Sequence, residues 1–386
     1  MRAWVAGLAV LAGLALPLAV ATPAAAAQGG TFAYVANRFS DNVSVVDTAT
    51  NTVTATITVG DIPFDLAVTP DGQRVYVVNQ QDGSVSVINT ATNTVIDTIT
   101  VGAGPSAVAI TPNGAFAYIA NLFDNNVSVI DTATNTVTTT IPVGTVPLDV
   151  AITPNGAFAY VVNQIADSVS VIDTATNTVI DTITVGTFPR SVAITPNGAF
   201  AYVANGGTNT VSVIDTATNT VVDTVTVGNG PRAVAITPNG AFAYVPNFNS
   251  NNVSVIDTTT NTVTTTVPVG SLPQGVAITP DGAFAYVTNG DDDTVSVIDT
   301  TTNTVTTTVP VGDNPTGVAI GTIPASSVAT CPPGSPLTGG GFQLTGPPPN
   351  NLTSKPVDNS WDVSLTNQTG EDIAFTPYAV CADITP

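Results

Sequence analysis

A tyrosine recurs every 42 residues through most of the chain. The seven positions are Tyr34, Tyr76, Tyr118, Tyr160, Tyr202, Tyr244 and Tyr286. A fixed period of this length predicts seven copies of one structural unit packed side by side. Each copy contains four short β-like runs separated by turn residues, and none shows helical periodicity. The sequence therefore predicts an all-β fold, a seven-bladed β-propeller of four-stranded antiparallel blades.

The two ends of the repeat region predict how the ring closes. The first copy begins at Thr31 and lacks its first strand, whereas residues 316–320 after the last copy form a first strand with no blade of its own. If these segments pair, one blade is built from both ends of the domain. Such closure removes the exposed sheet edges that would otherwise promote aggregation.

Four segments follow from the composition along the chain. Residues 1–27 are predicted to be a signal peptide, with Arg2, an apolar stretch and a small-residue cleavage site; an uncleaved membrane anchor is the alternative. Residues 28–320 form the propeller, residues 321–330 a linker and residues 331–386 a small β module. Cys331 and Cys381 are predicted to form a disulfide, as is usual in exported proteins. We expect a secreted or cell-surface protein without a membrane span after signal cleavage.

Charge excludes several classes of partner. The chain has 27 acidic and 6 basic residues, a formal net charge of −21, and no histidine. Such an acidic protein repels phosphate backbones and anionic membranes, so we expect no nucleic-acid binding. The lack of histidine also removes the commonest general base and metal ligand.

The segment Tyr286-Val287-Thr288-Asn289 carries a family signature, and the other copies contain close variants of it. On these residues, the region 31–320 resembles the YVTN family of β-propeller repeats. The resemblance implies an exported propeller similar to cell-surface and surface-layer proteins, and it implies no reaction. The tail is similar to a small β module found at the ends of exported actinobacterial proteins.

The residues that follow each crossover proline are predicted to line the mouth of the central channel. They are Phe64, Ser106, Leu148, Arg190, Arg232, Gln274 and Thr316. Arg190 and Arg232 occupy equivalent positions on neighbouring blades, where two guanidinium groups can bind a carboxylate, sulfate or phosphate. Asp65 and Asp149 stand one residue further on in other blades. The alternative is that both arginines only offset the local acidity of an exposed rim.

Two sets of aspartates have side chains that could bind calcium or the backbone. Asp291, Asp292 and Asp293 are a weak calcium candidate, because the run lacks the spaced ligands of calcium loops and also suits a solvated acidic loop. A second set ends the third strand of each repeat and is predicted to accept backbone N–H bonds in the following turn. It comprises Asp47, Asp131, Asp173, Asp215, Asp257 and Asp299, with Asn89 at the equivalent position of the remaining repeat.

Together these features favour a non-catalytic binding or structural scaffold, without a cofactor, whose variable loop face recognises a cell-envelope carbohydrate or a surface protein. We expect no enzyme activity, because the propeller enzymes with a similar architecture use histidine, or glutamate with a metal. The alternative is a lactonase-like hydrolase or lyase with Asp65, Asp149, Arg190 and Arg232 as its site at the channel mouth.

Overall fold

The computed structural model describes residues 29–324 with their side chains. It also describes the backbone of five later strands, at 326–330, 337–345, 351–357, 360–366 and 374–381. Residues 27–325 form one compact unit, and the later strands belong to a second unit. Within the described residues, the structure contains no helix whose length and apolarity would allow it to cross a membrane.

The first unit is a ring of seven four-stranded antiparallel sheets, which confirms the predicted fold class. The innermost strands are β4 (Pro63–Val68), β8 (Pro105–Ile110), β12 (Pro147–Ile152), β16 (Pro189–Ile194), β20 (Ala235–Ile236), β24 (Pro273–Ile278) and β28 (Pro315–Ile323). The second strands are β1 (Gly30–Asn37), β5 (Arg74–Asn79), β9 (Phe116–Asn121), β13 (Phe158–Asn163), β17 (Phe200–Asn205), β21 (Phe242–Asn247) and β25 (Phe284–Asn289).

The third and outer strands complete each blade. The third strands are β2 (Asn42–Asp47), β6 (Ser84–Asn89), β10 (Asn126–Asp131), β14 (Ser168–Asp173), β18 (Thr210–Asp215), β22 (Asn252–Asp257) and β26 (Thr294–Asp299). The outer strands are β3 (Thr52–Thr58), β7 (Thr94–Thr100), β11 (Thr136–Pro142), β15 (Thr178–Thr184), β19 (Thr220–Thr226), β23 (Thr262–Pro268) and β27 (Thr304–Pro310). Blade 1 consists of β28, β1, β2 and β3, and blades 2 to 7 follow in chain order.

Blade 1 closes the ring as the sequence predicts. Strand β28 pairs antiparallel with β1, from Gly30 opposite Ile323 to Asn37 opposite Pro315. The strand is longer than residues 316–320 because Gly321, Thr322 and Ile323 continue the ladder where other blades make a turn. Ile323 is buried against Tyr34, so this extension adds apolar contact as well as hydrogen bonds.

The hydrophobic core lies between neighbouring blades. The second and third strands are rich in valine, isoleucine and alanine and are almost fully buried, whereas the outer strands expose most of their threonines. Between blades 2 and 3, for example, Val85 and Val87 pack against Ile119 and Ile130. β-Branched residues suit such pleated, buried surfaces. Because every blade packs on two neighbours, the ring is rigid, and variation is left to its loops.

The recurring tyrosines join blades through the turns that follow the third strands. Tyr160 Oη donates a 2.7 Å hydrogen bond to Asn219 Oδ1, 59 residues further along, and Asn219 has a positive φ of 54°. Five other tyrosines make the equivalent bond. The exception is Tyr34 of blade 1. The equivalent asparagine, Asn93 of blade 2, has a buried Oδ1 without a partner among the described residues. Blade 1 therefore departs from the repeat at the place where Ile323 packs on Tyr34.

The described strands of the second unit form two small antiparallel sheets. Strand β32 (Ser360–Thr366) pairs with both β29 (Ser326–Thr330) and β31 (Asn351–Val357). Strand β30 (Leu337–Thr345) pairs with β33 (Ala374–Cys381). The predicted signal peptide and Cys331 lie outside the described residues, so the disulfide with Cys381 stays a prediction.

Candidate active site

One end of the central channel opens into a cavity lined by the innermost strands of all seven blades. Its walls are the first and second residues after each crossover proline, which places the predicted channel-mouth residues around one space. These lining residues are Phe64, Asp65, Ser106, Ala107, Leu148, Asp149, Arg190, Ser191, Arg232, Ala233, Gln274, Gly275, Thr316 and Gly317. The ring thus brings together side chains that lie up to about 250 residues apart in the sequence.

A β-bulge turns the first lining residue of several blades towards the cavity. In blades 2 to 5 the pairing between the two inner strands skips one residue: Phe64, Ser106, Leu148 or Arg190. A bulge leaves the extra residue out of the ladder and redirects its side chain. The repeated Pro-X-X sequence therefore builds the same lining position in each blade, and only the residue at X differs.

Blade 6 departs from this pattern at Pro246. Its inner strand β20 is reduced to Ala235–Ile236, and Pro231 forms only an isolated bridge with Asn247. Pro246 has no N–H to donate to the inner strand, so the ladder is interrupted where blades 2 to 5 continue it. Arg232 N instead donates a 3.0 Å bond to the Pro246 carbonyl. The segment that carries Arg232 is therefore less tightly paired than its counterparts.

We predict that Pro246→Ala restores this ladder, because blade 5 carries Ala204 at the equivalent position and pairs regularly there. The amide hydrogen of Ala233 should exchange with solvent about fivefold more slowly in the variant, since the restored hydrogen bond contributes roughly 1 kcal/mol. Hydrogen-exchange mass spectrometry measures this. The reciprocal variant, Ala204→Pro, should speed exchange in blade 5, and unchanged exchange in both variants would contradict the explanation.

Asp65 and Asp149 form the acidic side of the cavity. Asp65 Oδ2 accepts a 3.1 Å bond from Val108 N of the next blade, and Asp149 Oδ2 accepts a 2.9 Å bond from Val192 N. Burial, followed by the neighbouring charge of Asp149, raises the pKa of Asp65 to about 7. Burial also raises the pKa of Asp149, against the opposing effect of its hydrogen bonds from Val192, Ser191 and Val150. Both carboxyl groups therefore bind a proton more readily than an exposed aspartate, and only the shift of Asp65 includes the charge of the other carboxyl group among its causes.

Arg190 and Arg232 form the basic side of the same cavity. Both side chains are half-buried, so they are not simply charges on an exposed rim. Burial lowers the pKa of Arg190. Burial, with the charges of Arg190 and Arg38, lowers the pKa of Arg232 to about 10. The Arg232 guanidinium lies 3.7 Å from the centre of the Phe248 ring, a cation–π contact that fixes its plane.

Arg38 is a third cation at this mouth, and sequence reasoning missed it. It follows the signature asparagine of blade 1, and its guanidinium lies 5.6 Å from the ring centre of Phe64, a lining residue. Its Nε is buried without a hydrogen-bond partner among the described residues. The propeller has four arginines, and three of them act on this site. Because arginine is so rare in this acidic chain, each arginine of the propeller was a sequence signal for a site that binds negative charge.

Other lining residues hold the blades together. Ser106 Oγ donates to the Pro147 carbonyl of the next blade at 3.0 Å, and Thr316 Oγ1 lies 3.4 Å from the Pro63 carbonyl. Gln274 Nε2 donates to the Pro315 carbonyl at 3.3 Å. The aspartates and arginines are the titratable side chains among the residues that line the cavity, so they are the groups with the chemistry to act on a ligand.

The acidic run of blade 7 serves the backbone. Asp292 Oδ2 accepts from Ser271 N at 2.7 Å, and Asp293 Oδ1 accepts from Asn314 N at 2.8 Å. Asp291, the third member of the calcium candidate, lies beside them, and residues 29–324 contain no cluster of three or more His, Cys, Asp or Glu side chains suited to hold a metal ion.

The aspartates that end the third strands act as predicted. Asp131 Oδ1, for example, accepts from Ala133 N at 2.8 Å in the following turn. The equivalent bond recurs in the other blades. These side chains cap turns on the face opposite the cavity, so their repetition is explained by structure.

Solved structures with the same architecture include enzymes. The chain is similar to the hydrazine synthase of Kuenenia stuttgartiensis at 26% identity, covering 66% of this chain and 88% of that one, with a TM-score of 0.61. It is similar to a putative 6-phosphogluconolactonase from Bacteroides fragilis (20% identity, 76% and 98% covered, TM-score 0.65). The periplasmic gluconolactonase of Pseudomonas aeruginosa shares 18% identity, with 76% and 100% covered and a TM-score of 0.66. No curated protein matches the sequence.

The family comparison corrects the expected function. The model of the family described as "Lactonase, 7-bladed beta-propeller" matches residues 21–96, 89–179, 178–266 and 217–320. The expectation of a non-catalytic surface scaffold, with no enzyme activity and a surface-layer character, was therefore wrong. It rested on the absence of histidine from the chain and of glutamate from the propeller. Burial shifts the pKa of an aspartate as effectively as that of a glutamate, and Asp65 shows such a shift.

The family match spans all seven blades and includes every residue that lines the cavity. It agrees with the ring of seven sheets seen in the structure. The chain belongs to the family of seven-bladed β-propeller lactonases.

Proposed function

We propose that the protein hydrolyses a lactone that carries an anionic group, with Asp65 and Asp149 transferring protons and Arg190 and Arg232 binding negative charge. The main support is one observation: two carboxyl groups with raised pKa values share a cavity with two half-buried arginines in a member of a lactonase family. Titratable groups with perturbed pKa values that converge on one cavity are typical of active sites.

The carboxyl pair suits the two proton transfers of ring opening. The charge of Asp149 is one cause of the raised pKa of Asp65, whereas Asp65 is not a cause of the shift at Asp149, so we assign the proton to Asp65 and the negative charge to Asp149. Asp149 accepts a proton from the water that attacks the lactone carbonyl. When the ring C–O bond of the tetrahedral intermediate breaks, Asp65 donates its proton to the departing alkoxide oxygen. The product is the open hydroxy acid, and a proton passes back from Asp149 to Asp65 through solvent.

The arginines suit the charges of such a substrate. Guanidinium groups bind carboxylate or phosphate through paired hydrogen bonds, and they also stabilise the oxyanion that develops on the attacked carbonyl. Half-buried cations act more strongly than exposed ones because less water screens them. The structurally similar proteins described as acting on gluconolactone or its 6-phosphate make sugar-acid lactones the first substrates to test.

The place of action is part of the proposal. The leader predicted at residues 1–27 supports an enzyme that works outside the cytoplasm. In place of the expected cell-envelope carbohydrate, we propose a sugar-derived lactone as the ligand. The Tyr-Val-Thr-Asn signature remains a feature of the repeat, but it does not indicate a surface-layer role.

The test is direct hydrolysis of 6-phosphogluconolactone, with neutral glucono-δ-lactone for comparison, followed by pH-stat titration of the released acid and corrected for spontaneous opening. We expect turnover by the wild type and a kcat/KM at least about 100-fold lower in Arg190→Ala, mostly through KM, because a charge-assisted bond to the substrate is lost. Arg74→Ala is the matched control, since Arg74 bonds the Thr132 carbonyl outside this cavity.

Two outcomes would contradict the proposal. One is the absence of turnover for every lactone in a wider panel that includes neutral, carboxylated and phosphorylated rings. The other is turnover that Arg190→Ala and Arg74→Ala reduce equally, since the effect would then come from stability and not from binding.

A further inference from the structure

The rim of the cavity has an apolar sector on three consecutive blades. Phe123 of blade 3 is 68% exposed, Ile165 of blade 4 is 54% exposed, and Phe188, which leads into blade 5, is 49% exposed. We call these three residues the apolar strip. Large apolar side chains exposed together on a rigid surface are typical of binding sites.

The apolar strip adjoins the cavity directly. The Phe123 ring lies over Gly104, where a methyl group would come within 2.5 Å of it, and Gly104 stands two residues before Ser106 of the lining. Phe188 stands two residues before Arg190. The loop that carries Ile165 bonds to the segment leading to Leu148, through Ile165 N and the Thr145 carbonyl at 3.3 Å. Leu148, which belongs to the same blade as Ile165, lines the cavity itself.

The rest of the rim differs at the equivalent positions. The second residue after the signature asparagine is Phe123 in blade 3 and Ile165 in blade 4, but Gln81, Gly207, Asn249 and Asp291 in blades 2, 5, 6 and 7. Phe39 holds this position in blade 1, where it is separated from the apolar strip by blade 2 and lies beside Arg38. Since the seven loops share one backbone pattern, the scaffold does not require an apolar residue there. The position of Phe188 is apolar in blades 2, 4 and 7 as well, as Ile62, Val146 and Leu272, but among these residues only Phe188 is strongly exposed.

We propose that the apolar strip binds the hydrocarbon substituent of an amphiphilic substrate whose anionic group is held by Arg190 and Arg232. The substrate class is then a lactone with an alkyl or aryl side chain, not a sugar lactone that is polar all round. This refines the proposed function, from which it takes the position of the anionic group. Leu148 in the cavity and Ile165 on the rim belong to the same blade, which supports a single ligand that spans both regions.

A homologous series of alkyl carboxylates tests the binding without requiring turnover. Titration calorimetry with butanoate to decanoate, each below its micelle concentration, should show the Kd falling about three- to fourfold per added methylene, since each buried CH₂ adds this factor. The triple variant Phe123→Gln, Ile165→Gln, Phe188→Asn should flatten this dependence on chain length. Each replacement is native at the equivalent position, as Gln81 and Asn314, and Asn314 shares the positive φ of Phe188.

Matched variants separate the apolar strip from general apolarity. Ile96, Ile180 and Val222 are similarly exposed on outer strands, away from the channel, and threonine occupies this position in other blades as Thr54. The triple variant Ile96→Thr, Ile180→Thr, Val222→Thr should keep the full dependence on chain length. Arg190→Ala should weaken binding of every carboxylate by a similar factor, since it removes a contact with the shared head group.

Three results would overturn the inference: a wild-type Kd independent of chain length, a dependence that survives in the apolar-strip variant, or its equal loss in the outer-strand variant. If the wild type binds long carboxylates but hydrolyses no lactone, the proposed function fails and the binding inference stands. If the wild type hydrolyses short polar lactones as efficiently as alkyl-substituted ones, and its Kd does not depend on chain length, the binding inference fails and the proposed function stands.

Discussion

Replacing Asp65 with asparagine should make the propeller more stable above pH 7 relative to the wild type and should remove most of its lactone hydrolysis. Burial raises the pKa of Asp65 to about 7, from an ordinary value of 3.8. The folded protein therefore holds this proton more tightly than the unfolded chain. Ionising the carboxyl group at higher pH must work against folding.

The sign of the pH dependence follows from that shift. Below about pH 4 the group is protonated in both states and has no effect on stability. Between about pH 4 and pH 7 only the folded state keeps the proton, so wild-type stability falls as pH rises. Above about pH 7 the penalty is complete, roughly 2–4 kcal/mol when allowance is made for water in the cavity. Asparagine does not ionise and escapes this penalty.

Asparagine also changes the hydrogen bonds at this position. Asp65 accepts bonds from the backbone N–H groups of Val108 and Leu66, and asparagine retains one side-chain oxygen for them. This costs about 1 kcal/mol at every pH. The difference in unfolding free energy, variant minus wild type, should therefore be slightly negative near pH 4, about zero near pH 5 and clearly positive at pH 8.

Hydrolysis should change in the opposite direction. Asparagine cannot donate a carboxylic proton to the leaving alkoxide, and loss of a general acid typically lowers the rate by about 100- to 10,000-fold. A variant that gains stability while losing activity is typical of a residue kept for function. Urea unfolding from about pH 5 to pH 9 and pH-stat turnover measure the two effects separately.

Asp131→Asn is the control for this substitution. Asp131 caps a turn on the opposite face, and asparagine occupies the equivalent position naturally as Asn89. Activity should be unchanged in this variant, and its stability should not increase with pH relative to the wild type. If Asp65→Asn changed stability equally at every pH and kept full activity, the raised pKa of Asp65 and its role in proton transfer would both be refuted.

The repeat pattern was sufficient to predict most of the fold, for a physical reason. Each 42-residue copy encodes its own strands and turns, and a blade buries its faces only against similar blades. The position after each crossover proline also predicted the cavity lining, because the bulge recurs with the repeat. Local sequence therefore determined the architecture and the placement of Arg190, Arg232, Asp65 and Asp149.

Features that depend on contacts between blades were not predictable in this way. The pKa of Asp65 depends on burial and on Asp149, two blades away. Arg38 reaches the mouth from blade 1 because the ring closes beside Phe64 of blade 2. The effect of Pro246 required knowing that its missing N–H faces the strand of Arg232. The mistaken exclusion of enzyme activity came from counting residue types, whereas reactivity depends on their surroundings.

Removal of strand β28 should have the largest effect on stability. Truncation after Val311 deletes this strand and the second unit, whereas truncation after Ala325 deletes the second unit alone. We expect the first variant to unfold at a temperature at least about 10 °C lower and to aggregate, and the second to retain the melting temperature of the propeller. Differential scanning calorimetry and light scattering measure both effects.

The contacts of β28 explain the expected size. Ile323 packs in the core between blades 1 and 2, and Val318 packs in the core between blades 7 and 1, so one strand stabilises both seams. Burying two such side chains contributes about 3–6 kcal/mol, and the ladder to β1 adds hydrogen bonds worth about 1 kcal/mol each. Most domains are stable by only about 5–15 kcal/mol. Without β28, β1 becomes an exposed edge that can pair with other chains.

A smaller substitution tests the same closure without deleting residues. Gly317 lies so close to blade 2 that a methyl group there would come within 2.8 Å of Asp65 Cα and 2.9 Å of the Phe64 carbonyl oxygen. Gly317→Val should therefore separate β28 from β4 and lower the melting temperature in the same direction as truncation after Val311. If the two truncated proteins had equal melting temperatures, and Gly317→Val did not change the melting temperature, the ring would be stable without its closing strand.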